Sequence, residues 1–500
     1  MAVKSIINLG FKGTVIDVEC SMTKGLPTIT IVGLASKAVD EAKERLRVAI
    51  TNTGLNFPRK RIVINLAPAE LPKDSTSLDL AIAIAILKAG GQITSNVDGS
   101  IFIGELGLNG DIRPVRGLIG KLLSADSLEA KAVYIPASNI DQARLLGMNN
   151  IYVAKTLREL IDHLNGQKLL LALPAQGEHT KVTYDVNTKP DFGEIYGQEA
   201  AKRALLIAAA GGHNVLMSGP PGTGKSMLAK AFINIMPPLT TRQSLEVTHM
   251  HSLASQNFVR TITRPTLRSP HHTASDVAII GGGHSLKPGE ISLAHHGVLF
   301  LDELPEFGRY AIESLRQPLE DGYISISRAQ QSVTFPAKFI LIATSNPCPC
   351  GYMYSEKPCT CTPAQIQHYQ KKLSGPIMDR IDIHVPVGSV KHENILKDSA
   401  RKQNSELIQQ VVKARFTQFE RQDELLNSML GNDALKRFSP MSKDTRKLLN
   451  KAAENLGLSP RSYIKVLKVA RTIADIANEK TINSGHISEA LQYRPKSLTY

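Results

Sequence analysis

The sequence predicts the α/β fold class, with a core built on a parallel sheet, an α+β domain before this core and a helical lid after it. Three observations predict this architecture. A glycine-rich loop at residues 219–226 lies between an apolar strand and a helix pattern, residues 1–166 alternate strands with helices, and residues 388–500 have a helical pattern throughout. The core therefore spans residues 191–387, and a polar, glycine-containing linker spans residues 167–190.

The composition is that of a globular chain with an excess of positive charge. Its 500 residues are 42% hydrophobic, and 59 Lys+Arg against 45 Asp+Glu give a net charge of +14. This charge favours a polyanionic partner such as nucleic acid, although a basic enzyme without one has the same composition. The N-terminus has no apolar segment of the signal-peptide type, and the longest apolar run, near residues 80–87, is too short to cross a bilayer. We therefore expect a cytoplasmic protein with no membrane partner.

The N-terminal domain has both kinds of hydrophobic period. Alternating apolar residues predict strands, and apolar residues three and four apart predict helices. The strands are at 13–18, 28–32 and 61–66, and the helices at 37–52 and 80–88.

Two segments of this domain resemble Lon-type proteases. Residues 72–79, Pro-Lys-Asp-Ser-Thr-Ser-Leu-Asp, resemble the catalytic serine segment, and residues 104–123 resemble the segment with the catalytic lysine. The resemblance places Ser77 on the nucleophile and Lys121 on the general base, and such a lysine works only if burial keeps it neutral near pH 7. Leucine and aspartate at 78–79 replace the small residues of Lon, so we expect a Lon-like fold without catalysis.

The central motif is a phosphate-binding loop. Residues 219–226 fit the pattern G-x-x-x-x-G-K-S/T at every position. The glycines let backbone N–H groups face phosphate oxygens, and the N-terminus of the following helix favours anions. We expect Lys225 to contact the β- and γ-phosphates of ATP and Ser226 to bind Mg²⁺. The predicted nucleotide contacts in the loop are Gly219, Pro220, Pro221, Gly222, Thr223, Gly224, Lys225 and Ser226.

Two further apolar strands end in polar residues that suit ATP hydrolysis. Residues 297–303 form a buried strand that ends in two carboxylates. Asp302 is expected to hold Mg²⁺, and Glu303 to act as general base toward the attacking water. The strand at 339–346 ends in Asn346, which is expected to orient this water.

The complete motif set resembles that of AAA+ ATPases. Residues 195–198, Ile-Tyr-Gly-Gln, resemble the segment that contacts adenine, and Asn346 fits the sensor 1 position. Arg380 matches the arginine finger of the Mg-chelatase and MCM branch, which implies a ring in which it reaches a neighbouring subunit; an ion pair with an adjacent aspartate is the alternative. Arg461 fits the sensor 2 arginine that reaches back to the γ-phosphate, with Arg471 as the alternative.

Between the nucleotide motifs, residues 268–275, 281–284 and 287–296 closely resemble the Mg-chelatase-like ComM (YifB) family of AAA+ ATPases. The resemblance extends over the whole chain. It implies a homo-oligomer, a hexameric ring, that acts as a helicase in branch migration on single-stranded or branched DNA during natural transformation and recombination. The glycine run with Lys287 would then enter the ring pore, although a surface turn is the alternative.

A cysteine-rich insertion at residues 346–363 follows sensor 1. Two C-x-C pairs offer four thiolates to one tetrahedral Zn²⁺, and metal-free cysteines or reversible disulfides are the alternative. The candidate ligands are Cys348, Cys350, Cys359 and Cys361. The histidines of residues 268–296 match no zinc-helix spacing, and we interpret them as structural or phosphate-contacting residues.

These features together favour an ATP-hydrolysing motor that acts on DNA. One alternative is an ATP-dependent Lon-like protease with a Ser77–Lys121 dyad. Another is a chaperone-type subunit that inserts metal into a tetrapyrrole. The fused Lon-like domain and the cysteine insertion argue against this last function.

Overall fold

The computed structural model describes residues 2–34, 37–73, 76–174, 190–255, 261–283, 286–328, 331–353, 357–373, 375–389 and 403–495. Most of the predicted linker lies outside these residues. Within them, no helix combines the length and the apolar character that crossing a membrane requires.

The N-terminal domain is a mixed sheet with helices packed on it. Its strands are β1 (Ala2–Leu9), β2 (Lys12–Thr23), β3 (Thr28–Val32), β4 (Arg61–Ala67), β5 (Ser100–Phe102), β6 (Glu105–Leu106), β7 (Ile112–Arg113), β8 (Ala132–Pro136) and β9 (Ile151–Ala154). Its helices are α1 (Lys37–Asp40), α2 (Ala42–Asn52), α3 (Asp79–Ala89), α4 (Leu118–Ser127), α5 (Ile140–Arg144) and α6 (Leu157–Leu164). The main sheet has the order β3-β4-β2-β1-β5-β8-β9.

The sheet and its helices explain where Ser77 and Lys121 lie. Strands β1, β2 and β4 pair antiparallel, whereas β5, β8 and β9 add parallel to β1. Helix α3 is apolar all round, and its residues from Asp79 to Leu87 are buried, as expected for a helix in the centre of a core. Ser77 lies directly before α3 and Lys121 lies on α4. The predicted helix at 37–52 is interrupted at Glu41, between α1 and α2.

The core is a parallel sheet, as predicted. The strands of this region are β10 (Val215–Ser218), β11 (Leu267–Arg268), β12 (Gly281–Gly282), β13 (Lys287–Pro288), β14 (Val298–Leu301), β15 (Tyr323–Arg328), β16 (Gln331–Pro336), β17 (Ile340–Ser345) and β18 (Ile383–Pro386). Five of them form the sheet in the order β11-β14-β17-β10-β18, and every neighbouring pair is parallel. Strands β12 and β13 form one antiparallel hairpin, and β15 and β16 form another. The helices are α7 (Glu199–Gly211), α8 (Lys225–Phe232), α9 (Thr241–Ala254), α10 (Asp276–Ile280), α11 (Glu290–Leu293), α12 (Arg309–Ser314), α13 (Arg316–Asp321), α14 (Pro363–Lys371) and α15 (Gly375–Met378).

The C-terminal part is helical and shares a hydrophobic core with the sheet. Its helices are α16 (Asn404–Gln422), α17 (Asn432–Phe438), α18 (Lys443–Asn455), α19 (Pro460–Ile476) and α20 (Ser484–Gln492). Val215 of β10 and Ile473 of α19 belong to the same buried cluster. Asn483 caps α20 by accepting from the His486 N–H.

The N-terminal domain contacts the core through α4 and α9. The Gly120 N–H donates to Nδ1 of His249 at 3.4 Å, and Nε2 of His249 donates to the Phe11 carbonyl at 2.8 Å. A Cβ on Gly120 would lie 2.5 Å from the His249 ring, so only glycine permits this approach. Helix α4, which bears Lys121, is therefore attached to α9, the second helix after the phosphate loop.

Candidate active site

The phosphate loop begins where three parallel strands end. The Gly219 N–H donates to the Ser345 carbonyl of β17, and a Cβ on Gly219 would lie 2.0 Å from the Val387 carbonyl after β18. Gly222 and Gly224 have φ angles of +79° and +87°, which L side chains rarely adopt. Close packing thus requires glycine at the first of these positions, and the left-handed backbone favours glycine at the other two.

Lys225 is the first residue of α8, and its side chain folds back into the loop. Its Nζ donates to the carbonyls of Gly219 at 2.6 Å and Pro220 at 2.7 Å, and to Oδ1 of Asn346 at 3.3 Å. Burial lowers the pKa of Lys225, although the nearby carboxylates Asp302 and Glu303 oppose this effect. The loop thus holds a lysine, backbone N–H groups and a helix N-terminus together, which fits a triphosphate.

Asp302 forms the acidic partner of the loop. Its Oδ2 accepts from the Ser226 hydroxyl at 2.8 Å, and its Oδ1 accepts from the Thr344 hydroxyl at 2.6 Å. A hydroxyl and a carboxylate offer the oxygen ligands that Mg²⁺ prefers, so Ser226 and Asp302 would hold this ion. Bound there, Mg²⁺ would offset the negative charge of the phosphates.

Glu303 and Asn346 lie side by side at the ends of β14 and β17. Glu303 adopts a left-handed φ of +56°, and its N–H donates to the Thr344 hydroxyl at 2.8 Å. Its Oε1 accepts from Nδ2 of Asn346 at 3.3 Å, and the side chain is exposed. An exposed carboxylate positioned by an amide can accept a proton from water beside the phosphates.

Two residues of the site, Thr344 and Gln198, form hydrogen bonds that were not predicted from the sequence. Thr344 connects Asp302 with Glu303, and its signal was a hydroxyl in an otherwise apolar strand. Gln198, in a left-handed conformation with φ of +61°, donates to the Thr223 carbonyl at 3.3 Å and to the Gly388 carbonyl at 2.6 Å. The segment that resembles the adenine contact therefore fixes the phosphate loop as well.

Known proteins are similar to this chain over nearly its full length. Residues 191–395 match the family "Magnesium chelatase, subunit ChlI", residues 18–139 match "Subunit ChlI of Mg-chelatase", and residues 401–494 match "Magnesium chelatase, subunit ChlI C-terminal". Competence protein ComM of Haemophilus influenzae is 41% identical over 98% of this chain and 97% of its own length. YifB of Escherichia coli is 40% identical over 97% of this chain and 95% of its own.

The chain belongs to the ComM/YifB family of Mg-chelatase-like proteins. A more distant relative, the magnesium-chelatase 38 kDa subunit of Rhodobacter capsulatus, is 28% identical over 31% of this chain and 50% of its own length. The family supports an AAA+ ATPase that uses ATP and Mg²⁺, in agreement with the phosphate loop.

Arg380 lies away from the phosphate loop of its own chain. Its backbone carbonyl accepts from Nδ2 of Asn214, the residue before β10, whereas the loop follows the opposite end of β10. Its guanidinium contacts Glu320 and donates to the Pro376 carbonyl at 2.8 Å. The ion pair with an adjacent aspartate, the alternative from sequence, is replaced by this Glu320 pair.

The two candidate sensor 2 arginines of α19 have different surroundings. Arg461, expected to reach back to the γ-phosphate, instead lies 4.0 Å from Glu320, in the same charged cluster as Arg380. Lys465, one turn later, donates to the Ile381 carbonyl at 2.9 Å and so holds this end of α19 close to Arg380. Arg471 is completely buried and paired with Asp475 at 2.9 Å, which is a structural role.

Two of the histidines between the nucleotide motifs, His295 and His296, form hydrogen bonds with the carboxylate of Glu246. Nδ1 of His295 accepts from the Lys338 N–H at 3.0 Å, so Nε2 carries the proton and donates to Glu246 at 3.1 Å. Nε2 of His296 donates to the same oxygen at 2.8 Å. A metal on Nε2 of His295 would require a proton on Nδ1, facing the Lys338 N–H. Burial lowers the pKa of His295 to about 4, and the bonds from His295 and His296 lower that of Glu246. This cluster is therefore structural.

The four clustered cysteines converge. The sulfur of Cys348 lies 3.4 Å from that of Cys350 and 3.7 Å from that of Cys359. All four sulfurs, with Cys361, lie within 4.8 Å of one another. The arrangement can bind one metal ion.

The structure also brings Ser77 and Lys121 together. Nζ of Lys121 lies 2.9 Å from the Ser77 hydroxyl and donates to the Ile6 carbonyl at 2.6 Å. Asp79, where Lon has a small residue, is buried and accepts from Arg45 at 2.8 and 3.1 Å. Burial raises the pKa of Asp79 to about 6, although the Arg45 pair opposes this shift.

Proposed function

We propose that this ATPase forms a homo-oligomeric ring, a hexamer as the family resemblance implies, and that ATP hydrolysis drives it along single-stranded or branched DNA. The position of Arg380 carries the proposal. Strands β10 and β18 are parallel, with Val215 opposite Ile383. Arg380 precedes β18, whereas the phosphate loop follows β10. Because the two strands run in the same direction, Arg380 and the loop lie at opposite ends of the strands. An arginine finger in this position can contact the nucleotide bound to a neighbouring subunit.

Arg461 extends this argument. Its side chain is 60% exposed, and it shares Glu320 with Arg380. Two cations that converge on one exposed carboxylate form a basic cluster that can face the next subunit's nucleotide. We infer that Arg461 also acts across the subunit boundary.

The DNA part of the proposal rests on charge and on two hairpins. The net charge is +14, and Lys287 is exposed in the hairpin of β12 and β13. This hairpin packs on the one formed by β15 and β16, since a Cβ on Gly281 would lie 2.7 Å from Cδ1 of Ile326. A basic hairpin supported by a second one can follow a phosphate backbone through a ring pore. One relative is named competence protein ComM, and this name supports a role in competence. Branch migration during natural transformation and recombination is what the family resemblance implies.

Mixing experiments test the ring. Lys225→Ala and Arg380→Ala chains should each lose hydrolysis, and their mixture should regain part of it, because Arg380 of one chain then completes the intact loop of the other. As a control, Lys225→Ala mixed with Glu303→Gln should regain none, since both changes affect the same half of the site. Failure of the first mixture to regain activity would place Arg380 in its own subunit's site and remove the main support for a ring.

Hydrolysis with and without single-stranded and branched DNA tests the motor. We expect DNA to stimulate hydrolysis, and Lys287→Glu to reduce this stimulation while basal hydrolysis persists. Lys436→Glu, an exposed lysine of α17, is the matched control. Hydrolysis that ignores DNA but responds to unfolded protein would contradict the proposal.

One observation favours a second function, ATP-dependent proteolysis. The 2.9 Å contact between Lys121 and Ser77 is the arrangement that a serine–lysine dyad needs. Their exposed fractions of 1% and 2% oppose it, because a nucleophile must meet its substrate. We therefore keep the DNA motor as the conclusion.

A further inference from the structure

We propose that Cys348, Cys350, Cys359 and Cys361 bind one Zn²⁺, and that this zinc site supports the phosphate loop and Asn346. The site is separate from the residues that contact the nucleotide. It does not depend on DNA or on ring formation.

The spacing of the sulfurs fits a single tetrahedral ion. With Zn–S bonds of about 2.3 Å, the edge of a tetrahedron is roughly 3.8 Å. The observed separations of 3.4 Å (Cys348–Cys350), 3.5 Å (Cys350–Cys359) and 3.7 Å (Cys348–Cys359) are close to this edge. They are far from the S–S bond length of about 2.05 Å, so these pairs are not disulfides.

The backbone around the cysteines suits thiolates. The Cys350 N–H donates to the sulfur of Cys361 at 3.4 Å, and the Met353 N–H donates to that of Cys348 at 3.4 Å. Such bonds stabilise negative sulfur and orient it toward a metal. Four sulfur ligands in a tetrahedron select zinc or iron–sulfur chemistry, and a multi-iron cluster needs more room between its sulfurs. The spacing therefore fits a single metal ion, and zinc is the common structural ion for four cysteines.

The cysteine turn rests directly on the phosphate loop. Gly351, between the two C-x-C pairs, has φ of +82°, and a Cβ there would lie 2.7 Å from Cδ of Pro221 and 3.8 Å from Cγ of Asn346. Cys348 follows Asn346 by two residues. Any movement of this turn thus reaches both a loop residue and the amide that contacts Lys225 and Glu303.

The C-terminal end of the cysteine-rich insertion also contacts the segment that follows β17. Thr362, next to Cys361, caps α14 by accepting from the Gln365 N–H, and Gln370 of α14 donates to the Pro347 carbonyl at 3.3 Å. A metal that joins Cys348 and Cys361 closes this segment beside the end of β17. Without the metal, the turn loses its cross-link, and Asn346 loses its support.

Metal content tests the site. Full-length protein purified without chelators should contain one zinc ion per chain, and exchange with Co²⁺ should give the sulfur-to-cobalt charge-transfer band of tetrahedral thiolates. Cys350→Ser and Cys359→Ser should lose the band, whereas Cys20→Ser, in β2, should keep it. Absence of zinc together with absence of a thiolate band on Co²⁺ addition would overturn the proposal.

A glycine variant tests the support of the active site without removing a ligand. Gly351→Ala should keep zinc and the cobalt band, yet lower kcat for ATP by about ten- to a hundred-fold, because Pro221 and Asn346 are displaced. Gly431→Ala is the control, since no atom lies within 4 Å of the Cβ it would add. If Gly351→Ala keeps full kcat, the zinc site does not support the loop, and that half of the proposal is wrong.

Discussion

Nζ of Lys121 lies 2.9 Å from the hydroxyl of Ser77, and the exposed fractions of the two residues are 1% and 2%. The lysine comes from α4 and the serine from the turn before α3, so their bond crosses the centre of the N-terminal domain. Lys73, from the same Lon-like segment, is also completely buried and donates to the Pro68 carbonyl. Buried lysines with oxygen partners hold segments together, which is a use for this geometry without catalysis.

Replacement of Ser77 by alanine separates the structural and catalytic roles. We expect ATP hydrolysis to be unchanged and the free energy of unfolding to fall by about 1–3 kcal/mol, because the buried lysine loses a partner. Denaturant unfolding measures the change, and Ser127→Ala on the exposed end of α4 is the control. If the native protein degrades unfolded casein with ATP and Ser77→Ala abolishes this, the dyad is catalytic.

Replacement of Glu303 by glutamine tests the general base. The amide keeps the shape and the contact with Asn346 but cannot take up the proton, so we expect ATP binding to persist and hydrolysis to fall about 10²- to 10⁴-fold. Binding of a fluorescent ATP analogue and phosphate release measure the two effects. Glu306→Gln, three residues further on, should leave both unchanged. Equal loss of binding would assign Glu303 to nucleotide binding.

The sequence predicted the parts of the site that are local. Gly224, Lys225 and Ser226 form one contiguous motif whose glycines and helix start are determined by neighbours in the chain. The parallel sheet followed from apolar strands that end in Asp302 and Asn346. The surroundings of Arg461 could not be predicted, because Glu320 is far away in sequence and meets it only through the packing of α19.

The contact between the N-terminal domain and the core, through His249 and Phe11, could not be predicted from the sequence either. His249 resembles the other polar residues of α9, several of which are also buried, and Phe11 lies in a short turn between β1 and β2. Their hydrogen bond spans 238 residues and depends on two separately folded surfaces. Periodicity reports which face of an element is buried but not what covers that face.

His249 predicts how stability depends on pH. Burial, together with the nearby positive charge of Lys121, lowers its pKa from 6.5 to about 4 in spite of its bond to the Phe11 carbonyl. The unfolded chain therefore binds more protons below pH 6.5, so the stabilisation is complete above that pH and is lost as the pH falls toward 4. For this residue we expect a loss of about 2 kcal/mol between pH 7.5 and 5.

Unfolding of His249→Gln at the two pH values measures this contribution. The variant should show a loss smaller by about 2 kcal/mol than the unaltered protein, although His295 and His384, whose pKa values burial also lowers to about 4, still contribute. His271→Gln, on an exposed histidine, should keep the full dependence. An identical pH dependence in His249→Gln would show that this histidine titrates alike in both states.

The two arginines of α19 should respond oppositely to replacement. Arg471 is completely buried, donates to Asp475 at 2.9 and 3.1 Å, and also donates to the carbonyls of Glu479 and Lys480. Arg471→Met leaves Asp475 with Arg421 and the Asn427 amide as partners but removes the fully buried cation beside it, so we expect a loss of about 3 kcal/mol in the free energy of unfolding. The remaining folded protein should still hydrolyse ATP, because Arg471 lies away from the phosphate loop.

Arg461→Ala should do the reverse. Its side chain is 60% exposed, so we expect stability to change by less than about 0.5 kcal/mol. In the proposed ring, hydrolysis should fall, because the cluster of Arg380 and Arg461, which we propose faces the next subunit, loses one of its two cations. Mixed with Lys225→Ala chains, Arg461→Ala chains should regain activity, as Arg380→Ala chains should. If hydrolysis is unaffected by Arg461→Ala but lost in Arg471→Met at temperatures where that variant is folded, the sensor role belongs to Arg471, and α19 must turn toward its own nucleotide when ATP binds.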